Sequence, residues 1–145
     1  MIQRLQSIFY LLTSGAFFSE FALPFATSNM STSRFFEDLV YNIQDHVVLL
    51  VLTCLGGILA LVNIFLYNNR PLQIRLGYLL IILAILLPVV AALLVLSDGS
   101  AMNSGEVITE KAGIFMPIVA VITSVLANRF VKKDENLVQS MDRLR

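Results

Sequence analysis

The sequence predicts an all-α integral membrane protein, a four-transmembrane-helix bundle with both termini in the cytoplasm. Three observations carry this. The chain is 57% hydrophobic and 14% charged, richer in apolar residues than a soluble domain, which has about 45–50% even with Gly counted. Its apolar residues gather into runs close to the ~20 residues that cross ~30 Å of hydrocarbon. Lys and Arg collect on alternate sides of those runs. Arg4, then Arg70 and Arg75, then Arg129, Lys132, Lys133, Arg143 and Arg145 fall on one side, and Arg34 and Lys111 on the other. Basic residues near span ends stay in the cytoplasm, so the first group marks that face. The 145 residues form one domain-sized unit.

Each span has its own signal. The first covers 5–25 and carries Glu20 near its far end. Its basic start and the small residues Ala26, Thr27 and Ser28 resemble a cleaved signal, but its apolar stretch is long for one, which favours a retained helix. The second, 47–67, and the third, 76–96, contain no charge. Tyr67 and Tyr78 stand at their ends, where a ring with a polar tip favours the headgroup region. The link from Asn68 to Arg75, with Pro71 in it, suits a tight antiparallel hairpin. Pro88 lies mid-span and removes a helical hydrogen bond, so a bend is expected there. The fourth span, 112–128, runs into a helical tail over 129–145, where Leu137, Val138, Met141 and Leu144 share one face.

The outer loops differ in character. In 26–46, Phe35, Phe36, Leu39, Val40 and Ile43 recur at helical spacing, and Ser31, Thr32 or Ser33 offers an N-cap. This reads as an amphipathic helix on the outer membrane surface, with a hairpin or irregular loop as the alternative. The other loop, 97–111, is rich in Gly, Ser and Asn and reads as exposed and flexible. Asn29-Met30-Ser31 matches a glycosylation triplet, a pattern frequent by chance.

No chemistry is named by the residues. Cys54 is the sole cysteine and His46 the sole histidine, so neither a disulfide nor a Cys-pair metal site is available. His46 reads as an interfacial polar residue and Cys54 as a small packing residue. There is no Walker loop, zinc signature, nucleophile elbow or carboxylate pair. No catalytic, cofactor or metal residue is expected, and with zero net charge no nucleic acid partner either. The candidates are polar residues inside spans, which are expensive in lipid. Glu20 is the one acid there, read as an interfacial or helix-packed carboxylate, or as a proton or cation contact. Asn63 needs partners and is expected to reach Thr123 or Ser124 on the fourth span. Small residues four apart mark packing faces: Gly15 with Ser19, Gly56 with Ala60, Ala84 with Pro88 and Ala92, and Ala120 with Ser124.

Three stretches carry a family resemblance: Met1 to Ser7, Asn69 to Leu76, and Leu126 to Arg129 continued by Lys132 to Glu135 and Asp142 to Arg145. Together they resemble the bacterial family of domain of unknown function 4293, small four-span inner-membrane proteins. The resemblance implies an inner-membrane location and no established activity, substrate or cofactor. It also implies a shared cytoplasmic face of Arg4, Arg70, Gln73, Arg75, Asn128, Arg129, Lys132, Lys133, Asp134 and Glu135. Those charges enforce topology, or they form a docking surface for a membrane-protein partner, a second copy, or anionic lipid headgroups. Arg4, Arg70 or Arg75 is expected to pair with Asp134 or Glu135. The function expected is that of a non-catalytic accessory or scaffold subunit; the alternative is a small oligomeric transporter or channel.

Overall fold

The computed structural model describes residues 3–28, 38–97 and 108–142. Four long helices dominate: α1 (Gln3–Ser19), α2 (Val47–Phe65), α3 (Arg70–Ser97) and α4 (Met116–Asp142). Each packs on two neighbours, α1 and α3 both lying against α2 and α4. Three segments are long and apolar enough to cross a membrane: Val47–Asn68, Arg70–Ser97 and Ala112–Ser140. α1, with 17 residues, is shorter. It ends at Ser19 rather than near Phe25, because the chain tightens there into a turn in which the Glu20 amide bonds the Phe17 carbonyl at 3.3 Å.

Contacts along the helices make every neighbouring pair antiparallel. Phe17 faces Gly56, Asn63 meets Gln73, and Tyr10 bonds Asn128. The start of α1, the end of α4 and the turn between α2 and α3 therefore lie at one end, called the hairpin end. That turn is shorter than the sequence suggested. Leu66–Asn68 forms a 3₁₀ turn and α3 begins at Arg70. Pro71 falls in its first turn, where a missing N–H costs nothing. α3 continues as one helix through Pro88.

The opposite end is closed by a small antiparallel sheet, which sequence periodicity did not anticipate. β1 (Ala26–Ser28) lies between β2 (Val40–Tyr41) and β3 (Ile108–Glu110). The register pairs Ala26 with Tyr41 and with Glu110. The expected amphipathic helix is not formed over its described part: Val40 is strand and Ile43 opens a 3₁₀ turn, while 29–37 and the Asn29 triplet lie outside the described residues. Likewise the loop expected to be flexible contributes Ile108–Glu110 as a paired strand. Both corrections share a cause. Val, Ile and Thr suit an extended backbone, and two loops that meet at one end can satisfy each other's backbone.

Side chains complete this sheet end. Tyr41 is buried against Phe25, and its hydroxyl donates to the Ala91 carbonyl at 3.1 Å. Burial, with the Asp45 charge adding to it, holds that phenol above the ordinary Tyr range, so it remains a donor. Gly113 donates to the Pro24 carbonyl at 3.1 Å. A Cβ on Gly113 would sit 2.5 Å from that oxygen, so the approach requires Gly. His46 caps α2, its Nδ1 accepting from the Val48 amide at 3.2 Å; this gives the single histidine a structural role.

Candidate functional site

α1 is polar inside and apolar outside. Gln6, Tyr10, Thr13, Phe17 and Glu20 recur every three or four residues and are all buried, while Leu5, Ile8, Leu11, Leu12 and Phe18 are exposed. A helix bathed in water shows the reverse. In hydrocarbon, polar groups must find partners inside the protein.

At the hairpin end each helix contributes one buried carboxamide: Gln6 from α1, Asn63 from α2, Gln73 from α3 and Asn128 from α4. Asn63 Nδ2 donates to the Gln73 carbonyl at 3.2 Å, and Gln73 Nε2 returns a bond to the Asn63 carbonyl at 3.0 Å. Tyr10 donates to Asn128 Oδ1 at 2.9 Å, and Asn128 Nδ2 reaches the Ile74 carbonyl at 3.5 Å. Because their NH₂ groups face carbonyl oxygens, these three amides have fixed orientations. Gly77 gives Asn128 its room, since any side chain there would overlap the amide. Three acceptors remain without a donor in this cluster: Gln6 Oε1, Asn63 Oδ1 and Gln73 Oε1.

A hydroxyl layer follows toward the sheet end. Thr13 and Thr123 oxygens lie 2.8 Å apart, and the Ser124 hydroxyl donates to Thr13 at 3.4 Å. Beyond it, Glu20 is 1% exposed, and neither carboxyl oxygen has a hydrogen-bond partner. Thr53, on α2, is fully buried with its hydroxyl also unpartnered. Among the described residues, no three His, Cys, Asp or Glu side chains are grouped to hold a metal ion.

The surface of the hairpin end is charged. Arg70 Nη1 lies 3.9 Å from Glu135 Oε2, one of the expected pairings, with both side chains 24% exposed. Such a pair contributes at most about 1 kcal/mol. Beside it is an open cavity of about 420 Å³ lined by Tyr67, Asn68, Arg70, Pro71 and Glu135. Lys132 donates to the Tyr78 hydroxyl and its Nζ stands 5.0 Å from that ring's centre. Arg75, Arg129 and Lys133 are exposed. Arg4 lies in the first turn of α1, and its side chain is outside the described residues.

Several sequence expectations change here. Asn63 does not bond Thr123 or Ser124. It lies just before the α2–α3 turn, so the start of α3 is its nearest backbone, while Thr123 and Ser124 meet Thr13 instead. Gln73 and Asp134 do not belong to the exposed face: helical phase turns both inward, to 0% and 8% exposure. Gly56, Ala60, Ala84, Ala120 and Ser124 do pack between helices, but Gly15 and Ala92 face outward. Sequence reasoning passed over Gln6, Tyr10 and Thr13. Their spacing with Glu20, a polar stripe down an otherwise apolar helix, was the available signal.

A family model described as a domain of unknown function (DUF4293) matches residues 2–144. The chain belongs to this family. No curated protein and no solved structure matches it. In this DUF4293 chain, the three stretches that carry the resemblance hold Gln6, Gln73 and Asn128, three of the four buried carboxamides. The second and third of those stretches thus meet inside the protein, through Asn128 and Ile74, as well as on its surface, through Arg70 and Glu135.

Proposed function

We propose that this DUF4293 chain is a non-catalytic, four-pass protein of the bacterial inner membrane that serves as an accessory or scaffold subunit of a larger assembly. α1 makes the fourth crossing: its 17 residues span about 25 Å at 1.5 Å each, within the range a bilayer accepts, and its outward face is apolar. Charge placement then sets both termini in the cytoplasm. The observation that carries the docking role is the length of α4. It runs without a break past Arg129 to Asp142 and leaves Leu137 46% exposed, with Val138 beside it, among charged residues. Apolar side chains exposed on a helix beyond the membrane suit a partner of matching shape.

The test is purification of a tagged copy in mild detergent, with and without Leu137→Asp and Val138→Asp. A membrane-protein partner in fixed ratio, lost from the double variant, is the expected result. Bare protein under several gentle conditions counts against the reading. Thiol labels at Met1 and Arg145 that react from opposite sides would overturn the topology.

A transporter or channel made of several copies is the second reading, favoured by one observation: a buried carboxyl without a partner, Glu20. Cation flux in liposomes, lost in Glu20→Gln, would promote it.

A further inference from the structure

At the hairpin end, two opposite charges flank an open cavity without closing on each other. The cavity, about 420 Å³, is lined by Tyr67 and Asn68 from the turn after α2, Arg70 and Pro71 from the start of α3, and Glu135 from α4. That volume falls within the range of small-molecule pockets, about 300–1,000 Å³. Arg70 Nη1 and Glu135 Oε2 stand 3.9 Å apart, near enough for attraction but too far for a hydrogen bond. Glu135 Oε1 accepts from Gln139 at 3.1 Å, so Oε2 is the oxygen left for another donor. The guanidinium of Arg70 has five N–H donors, and none makes a hydrogen bond among the described residues. The cavity also has a fixed depth. It lies where two membrane-length segments, Val47–Asn68 and Arg70–Ser97, meet. Phe65, 77% exposed, precedes Tyr67 by two residues, and the exposed Leu72 follows Arg70 by two. Apolar side chains exposed at that level suit acyl chains, and an exposed Tyr suits the headgroup layer.

We propose that this cavity binds the phosphoethanolamine headgroup of a membrane lipid, with the phosphate on Arg70 and the ammonium on Glu135. The choice of headgroup follows from charge. Among the described residues, one cation and one anion line the cavity, so it matches a group that carries both signs. The planar guanidinium fork suits phosphate oxygens, and a primary ammonium has three N–H donors for Glu135 Oε2. A phosphoglycerol headgroup offers the same phosphate but no cation, and sets its negative charge against Glu135. A phosphocholine headgroup has a cation with no N–H to donate. Both charged side chains face an open cavity, so each can turn to its own end of the headgroup. A free phosphate lacks the ammonium, and the position of the cavity at the end of two spans favours a lipid. The site is distinct from Leu137 and Val138; it goes beyond the docking role and does not depend on it.

Native mass spectrometry of the full chain in detergent tests the proposal, using an equimolar mixture of phosphatidylethanolamine, phosphatidylglycerol and phosphatidylcholine with the same acyl chains. The ethanolamine lipid should give about fivefold more adduct than either of the others, the size of one part-exposed charged contact. Glu135→Gln should abolish that preference. Arg70→Gln should weaken binding of all three lipids, and Lys132→Gln, outside the cavity, should change neither. If a variant does not fold, the wild-type chain still decides: glycerophosphoethanolamine, the headgroup without acyl chains, should displace the lipid, and glycerophosphocholine should not. Equal adducts of the three lipids, or an excess of phosphatidylglycerol, overturn the proposal. So does a preference that survives in both Glu135→Gln and Arg70→Gln, which would place lipid binding elsewhere. Displacement by inorganic phosphate as effective as by glycerophosphoethanolamine would assign the site to free phosphate and overturns it too.

Discussion

The two ends of the molecule handle buried polarity in opposite ways. At the hairpin end the polar groups are neutral amides whose donors go to backbone carbonyls of the facing helix, as Asn63 and Gln73 do for each other. At the sheet end the side chains Glu20 and Thr53 are unpartnered, and closure comes from backbone bonds between loops, such as Lys111 to Phe25 at 2.9 Å and Phe25 to Tyr41 at 2.9 Å. The contrast separates two tasks. Carboxamides fix helix position without bringing charge into an apolar interior. A carboxyl fixes nothing until its proton or counter-charge is settled, so the surrounding backbone must hold that end.

The largest expected effect tests whether packing at the hairpin end is as tight as its hydrogen bonds imply. Gly77→Val drives a branched side chain into the Asn128 amide and should cost about 3 kcal/mol of stability in detergent unfolding. Gly15→Ala, with nothing within 4 Å of its new carbon, should cost nothing and gain about 0.5–1 kcal/mol from the lower backbone entropy of Ala in a helix interior. Equal losses in the two would remove the distinction between inner and outer helix faces. Next comes the sheet end: Gly113→Ala should cost about 2 kcal/mol and speed hydrogen exchange at Phe25 and Lys111 while leaving Gln73 protected. Uniform acceleration at both ends would show that they are not independent. The smallest effect sharpens the amide side of the comparison. Asn63→Ala and Gln73→Ala each remove one side chain–backbone bond and should each lose about 0.6 kcal/mol from it, and no more than about 1.7. Unchanged stability in both would mean that the two reciprocal bonds add nothing.

Much of the helical framework was legible before any coordinates. α2, α3 from Leu76 onward and the start of α4 are uncharged apolar runs, and such runs read directly as membrane-length helices. The Arg70–Glu135 pairing followed from placing both at one end. The sheet was not legible, because strands of two or three residues show no periodicity and their partners lie far away in sequence. Nor was the inward turn of Gln73, which depends on helical phase once α3 begins at Arg70 rather than near Leu76, or that of Asp134, which depends on the phase of α4. Glu20 was visible as an acid in an apolar stretch.

The strand order has a consequence for how the chain is assembled. β1 precedes α2, whereas β3 immediately precedes α4. If helices enter the bilayer in the order they are synthesised, Thr27 must wait for Thr109, its partner across the sheet, until three helices are already in place. Loop closure over such a separation is slow. The sheet is therefore completed late in synthesis, and a chain stalled before β3 would leave β1 without one of its two neighbours.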